Sequence, residues 1–354
     1  MTKPELILHI GHSKCGSTTI QRTLLANQDL LRDQKIFLFG RNLACSRDDH
    51  VKGMPNALLD NADHWDNAAD QVIAAAGCAN TGDRFILSAE ILGQPRMAGF
   101  ARRLLDTFGI RIIHYIRPQT DWCYSAWKQW QVKRGLGLQE WVDRCTRGPL
   151  PTFWDAYEGY RDAGFDTDRY DMRILHRDFL SGGDLVTDFC RMTEIEADGF
   201  KHPAGQSNPN VDHALLEVFR ASDYLFRDSR DNRAFEWVLR NLPEDVVRRR
   251  GGLTDAQQKQ IMDAHQASNE AICDQFFSDR ADAFWALFSA KTAGNTPDGS
   301  PEQARIRQLE GELEDLRRVV GYLFAAQISK DDSLPDPAMM EEAVKQWRET
   351  QGID

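Results

Sequence analysis

The chain has 354 residues, 42% of them hydrophobic and 10% aromatic, which is enough apolar surface for a large buried core and not the composition of a disordered chain. Its 54 acidic residues outnumber the 43 basic ones, and a formal net charge of −11 argues against general nucleic-acid binding, because a phosphate backbone demands a basic surface. A polyanion site on such a chain must be a local basic pocket.

The seven cysteines are scattered with no C-x-x-C pair, which opposes a disulfide framework and a thiolate zinc site and suits a reducing, cytoplasmic setting. The apolar run at residues 6–10 is too short for a signal-peptide core or a membrane helix.

Residues 6–10 (Leu-Ile-Leu-His-Ile) are β-prone and stop at Gly11, and beyond Ser17 the residues Ile20, Leu24, Leu25 and Leu31 recur at helical spacing. This predicts a strand, a glycine-bearing loop and a helix. A second strand is expected at 36–39, an irregular excursion at 41–64, a helix at 66–76 and a third strand at 85–87 ending in Ser88-Ala89-Glu90. A helical stretch at 100–108 precedes a fourth strand at 110–116, an aromatic-rich helix is expected at 120–133, and a fifth strand at 172–175. Strands alternating with helices point to an α/β fold with a parallel sheet flanked by helices.

The composition of 289–302 is that of a linker, dividing an α/β domain over 1–288 from a helical extension over 303–354. In that extension Ile306, Leu309, Leu313, Leu316, Val320 and Leu323 repeat at spacings of three and four, the seam of a short coiled coil through which 303–326 would form a homo-oligomer; a helix folded back on its own domain has the same amphipathic pattern.

The run Gly11-His12-Ser13-Lys14-Cys15-Gly16-Ser17-Thr18-Thr19 carries the densest chemistry. A loop between a buried strand and a helix start presents backbone N–H groups and the positive end of the helix dipole, which favour a phosphate or sulfate. Gly16 permits close backbone approach, Lys14 brings a point charge, and Ser17, Thr18 and Thr19 bring hydroxyl donors. A nucleoside triphosphatase loop would carry lysine directly after the second glycine; here Ser17 stands there and Lys14 lies two residues before Gly16.

Lys14-Cys15-Gly16-Ser17-Thr18 resembles the K-x-G-[ST]-[ST] loop that binds the 5′-phosphosulfate in sulfotransferases that use 3′-phosphoadenosine 5′-phosphosulfate (PAPS), and residues 8–24 are similar to bacterial members of that family. The fourth expected strand delivers Arg117-Pro118 at its carboxyl end, and Ser125 follows eight residues after the arginine. Ligands of open α/β sheets bind outside the carboxyl ends of the strands, where an arginine and a serine suit a second phosphate. The family resembled has an R-P turn and a serine at this offset, which implies that Arg117 and Ser125 hold the 3′-phosphate of PAPS. Looser similarity runs through residues 183–189 and through Ser207-Asn208-Pro209-Asn210, a loop that the resemblance would close over the site.

Residues 112–116 offer no carboxylate for magnesium, and the donor implied by the resemblance needs no metal. Sulfuryl transfer to a hydroxyl needs a base for the acceptor proton and donors for the leaving oxygen. Lys14 suits the second task. Glu90, at the end of the third expected strand, is the candidate base, since carbohydrate and bacterial sulfotransferases place a glutamate or a histidine in that neighbourhood; His12, His50 and His114 stand in reserve.

Trp122, Tyr124, Trp127 and Trp130 read as core more readily than as a sugar-binding wall, and Arg248-Arg249-Arg250 suits an anionic polysaccharide and a solvated helix end equally well. Residues 41–64 and 136–152 are the expected acceptor-facing loops. The activity expected is transfer of a sulfuryl group from PAPS to a hydroxyl acceptor, of carbohydrate type by the resemblance. A P-loop nucleotide kinase and a non-catalytic assembly protein on the same fold remain alternatives.

Overall fold

The computed structural model describes residues 3–55, 59, 64–148, 150–202, 211–220, 226, 228, 231, 232, 235, 236 and 252–289, and in the C-terminal extension 305, 306, 309, 311, 313, 316 and 320. The expected loop at 207–210 and the arginine run at 248–250 lie outside the described residues.

Apolar, β-branched runs form the strands. β1 (Glu5–Gly11) leads through α1 (Ser17–Ala26) and α2 (Gln28–Asp33) to β2 (Ile36–Leu38). α3 (Trp65–Gly77) precedes β3 (Arg84–Ala89), and α4 (Ala98–Leu104) precedes β4 (Gly109–Ile116). After α5 (Gln119–Ala126), α6 (Leu138–Arg147) and α7 (Phe153–Asp162) comes β5 (Tyr170–Ile174). α8 (Leu185–Met192), α9 (His213–Arg220), α10 (Asp255–Ala264), α11 (Gln266–Phe276) and α12 (Ala281–Phe288) complete the order of described elements. Every expected strand is present.

The strands make one five-stranded sheet in the order β2-β3-β1-β4-β5, parallel throughout. β1 is buried along almost its whole length, as a strand covered on both faces must be. Its register sets Ile10 beside Ala89 of β3 and Gly11 beside Tyr115 of β4, so the chain leaves β1, β3 and β4 at one edge of the sheet.

Successive residues of β4 serve the two faces. The His114 ring packs against Phe153 of α7, whereas the Tyr115 hydroxyl donates to Asp188 of α8 at 2.8 Å. α8 itself opens on Asp184, whose carboxylate accepts the Thr187 N–H at 2.8 Å as an N-cap.

The chain divides into two compact units, one comprising residues 1–123, 145–205 and 260–289 and the other 124–144, 206–259 and 290–354. The sheet belongs to the first. In the second, the fully buried Trp127 donates its indole N–H to Leu136 O at 2.9 Å and packs on His213 of α9, while Phe219, Phe226 and Phe235 form an aromatic cluster.

Residues 138–147, inside an expected loop, form a helix. Leu138, Trp141, Val142 and Cys145 line one buried face at helical spacing, a pattern masked in the sequence by the glycines and prolines on either side. Among the described residues no helix is long and apolar enough to cross a membrane.

The fully buried Asp188 carboxylate ties α8 to the sheet, accepting from Tyr115, from both Arg173 Nε and Nη2, and from the Ser181 N–H at 2.8 Å. Burial by itself would raise its pKa, but the Arg173 guanidinium and the two further donors outweigh it and hold the carboxyl below the usual range. A depressed folded-state pKa contributes stability above the unfolded value, and that stability is lost as pH falls through the folded value. Asp188→Asn is therefore expected to cost about 3–5 kcal/mol at neutral pH. Thermal unfolding across pH checks it: between about pH 5 and pH 2 the wild type should lose more stability than the variant.

Candidate anion-binding site at the carboxyl edge of the sheet

The loop joining β1 to α1 turns its carbonyl groups into the protein. His12 O accepts from Cys15 N at 3.1 Å, Ser13 O from the Trp122 indole at 2.8 Å, Lys14 O from Arg117 Nη1 at 3.1 Å, and Gly16 O from Thr19 N at 3.0 Å. Two residues are left-handed, Lys14 at φ 70° and Gly16 at φ 87°. For a lysine that conformation costs about 1–2 kcal/mol, and such strain marks backbone held for a purpose. α1 starts with no side-chain cap. The N–H groups of its first two residues, Ser17 and Thr18, have no intrahelical acceptor, and the positive end of the helix dipole lies at the same place.

Gly16 is demanded twice over. Beyond its positive φ, a Cβ there would collide with the Cδ2 methyl of Leu185 at the start of α8. The space a side chain would take is thus filled by protein, and α8 buttresses the loop from behind.

Arg117, just past β4, reaches the loop through its hydrogen bond to Lys14 O, and its Nη2 lies 3.5 Å from Asp121. Its buried Nε–H has no hydrogen-bond partner among the described residues. An arginine tied to a strained loop with one donor to spare fits an anionic ligand, because guanidinium donors pair well with phosphate oxygens. Ser125, expected to share this task, lies near the end of α5 and is grouped with the second compact unit.

Glu90, one residue past β3, accepts a 2.5 Å hydrogen bond from Ser17 Oγ. Ser17 is buried with its hydroxyl on this carboxylate, while Thr18 and Thr19 are exposed. Lys14, Gly16, Ser17, Glu90 and Arg117 thus stand on or beside one loop, brought together by three neighbouring strands.

A line of polar groups also runs behind the loop. His12 Nδ1 and His114 Nε2 are 3.0 Å apart, His114 Nδ1 and the Tyr170 hydroxyl 2.7 Å, and His12 Nε2 and Thr152 Oγ1 3.4 Å. Burial pushes His12 down to about 3. Burial first, then His12 and His9, hold His114 well below the ordinary value, so both rings are neutral at pH 7. His50, the third reserve histidine, pairs with Asp29 on the surface at 2.8 Å.

The support from Trp122, Leu185 and the His12–His114 pair was not read from the sequence. Trp122 carried a signal in its position five residues after Arg117, but its place in an aromatic stripe spoke for packing alone. Among the described residues no cluster of three or more His, Cys, Asp or Glu side chains could hold a metal ion.

No family model matches the chain, and no curated protein matches it. Among solved structures the chain is similar to the crystal structure of a sulfotransferase from Alicyclobacillus acidocaldarius, with 15% sequence identity and a TM-score of 0.34, over 67% of this chain and 100% of that one.

The double demand on Gly16 has a measurable form. Gly16→Ala is expected to destabilise the fold by about 1–2 kcal/mol through the left-handed backbone alone, with the Leu185 collision adding to it. Leu185→Ala in the same chain should recover only the steric part, so denaturant titration of the two variants separates conformation from packing.

Proposed function

We propose that the chain is a sulfotransferase that takes a sulfuryl group from PAPS and passes it to a hydroxyl acceptor of carbohydrate type. The observation that carries the reading is the donor loop itself, whose carbonyls are turned inward and whose Lys14 O is held by Arg117 from the neighbouring strand, with the Arg117 Nε–H unsatisfied. The resemblance of Lys14 to Thr18, and of Arg117-Pro118 with Ser125, to the donor-binding motifs of PAPS-dependent enzymes supports the same conclusion.

The donor, when bound, supplies the sulfuryl group and a phosphate that leaves with the nucleotide. Lys14 and the N-terminus of α1 hold the 5′ end and stabilise the negative charge that grows on the leaving oxygen. Gly16, Ser17 and Thr18 contribute backbone N–H groups, and the two exposed threonines, Thr18 and Thr19, their hydroxyls. Arg117 and Ser125 take the 3′-phosphate.

Glu90 receives the acceptor proton. A carboxylate can serve because the hydroxyl becomes acidic only as its bond to sulfur forms. His12 is the poorer base, since burial disfavours the imidazolium it would have to become. The glutamate is in keeping with the resemblance to carbohydrate sulfotransferases.

Two experiments test this. By titration calorimetry, Arg117→Ala should weaken 3′-phosphoadenosine 5′-phosphate by about 1.5–3 kcal/mol while changing the affinity for adenosine 5′-phosphate far less. Equal losses would show that Arg117 supports the loop without reading the 3′ position, and wild-type preference for ATP with magnesium would favour a kinase. Glu90→Gln keeps an acceptor for the Ser17 hydroxyl and removes the basic site. Turnover of labelled donor should fall by about a hundredfold or more with donor affinity nearly unchanged, and retention of most of the wild-type rate would exclude Glu90 as the base.

A further inference from the structure

Among the described residues of the C-terminal extension, apolar side chains stand exposed. The described positions 305, 306, 309, 311, 313, 316 and 320 are all helical, and Ile306, Leu309, Leu313 and Val320 are 52%, 46%, 50% and 42% exposed. Large apolar side chains exposed at this spacing call for a partner. The chemistry of the residues beside the seam states which one.

We propose that this segment is a parallel, two-stranded coiled coil with a second copy of the same chain. The spacing of three and four sets Ile306, Leu313 and Val320 at the a positions of three heptads and Leu309, Leu316 and Leu323 at the d positions. β-Branched residues at two of three a positions, with leucine at every d, favour two parallel strands over trimers or tetramers.

The flanking charges agree with this arrangement. In that register Arg305 and Glu312 fall at g, and Glu310 and Arg317 at e. A parallel in-register pair sets each g residue against the e residue five positions on in the other helix. Arg305 then meets the second copy's Glu310, and Glu312 meets its Arg317, attractive in both cases and duplicated by symmetry. An antiparallel pair sets e against e and g against g, which retains only the Glu310–Arg317 contact.

A helix folded back on its own chain would need the apolar face but would have no use for charges that complement themselves at this offset. Gly311 and Gly321 fall at f and b, away from the seam. Each weakens the isolated helix by about 1 kcal/mol relative to alanine, so the segment depends on pairing for its stability.

The full-length chain tests this by light scattering at micromolar concentration, where twice the chain mass is expected; a monomer overturns the proposal, and so does a trimer or tetramer. Leu309→Asp with Leu313→Asp should yield a monomer whose circular dichroism and thermal unfolding match the wild type through the sheet-bearing unit, whereas a surviving dimer would place the interface elsewhere. Glu312→Arg should weaken dimerisation at least tenfold at low salt, and adding Arg317→Glu should restore it; failure to restore overturns the parallel register. Ile306→Cys supplies an independent reading of direction. Its sulfur should cross-link to its counterpart under mild oxidation, because an antiparallel pair would set residue 306 beside residue 323, about 25 Å away along the helix. Absence of that cross-link overturns the parallel arrangement.

Discussion

The parallel pairing of β1 between β3 and β4 is the constraint on which the candidate site depends. Hydrogen bonding fixes Ile10 beside Ala89 and Gly11 beside Tyr115, so residues a step or two beyond those pairs emerge together at one edge. Glu90, the loop after Gly11 and Arg117 come from positions far apart in the chain and meet because three strands run in one direction. An antiparallel neighbour would deliver its next residue to the opposite edge.

On that scaffold the loop acts mainly through its backbone. Its carbonyls are bound by an indole, a guanidinium and nearby N–H groups, and its left-handed residues are tolerated because Trp122, Arg117 and Leu185 hold them from three directions. The arrangement resolves a conflict in the composition. A chain with a net charge of −11 repels anions at long range, and attraction must be confined to a place where dipoles, Lys14 and Arg117 converge.

Much of this was legible in the sequence, and the rest has identifiable physical reasons for being hidden. The five strands are short apolar runs bounded by turn residues, and Lys14, Gly16, Glu90 and Arg117 could be found because each follows such a run. The contact of Leu185 with Gly16 joins residues 169 positions apart, and no local pattern announces it. Trp122 sits in an aromatic stripe whose periodicity says packing, which is correct for its ring and silent about its N–H. Ser17 follows the glycine and suits an anion by its hydroxyl, and the hydrogen bond from that hydroxyl to Glu90 is tertiary and has no signature in the sequence. The helix at 138–147 was obscured by its flanking glycines and prolines, and the two compact units are assembled from interleaved segments that composition does not reveal.

The alternation along β4 has a consequence for how the site tolerates change. His114 and Tyr115, adjacent in sequence, anchor opposite helical layers, and Arg117 follows two residues later. A strand has a period of two, so inserting or deleting one residue in β4 would exchange the two anchors between faces and turn the arginine away from the loop at once. Paired changes of two residues would preserve facing but shift the arginine by about 7 Å along the strand axis. β4 therefore behaves as a ruler with a single usable setting. Length variation among chains that share this site is expected in the connections around α3 and α6, and not in this strand.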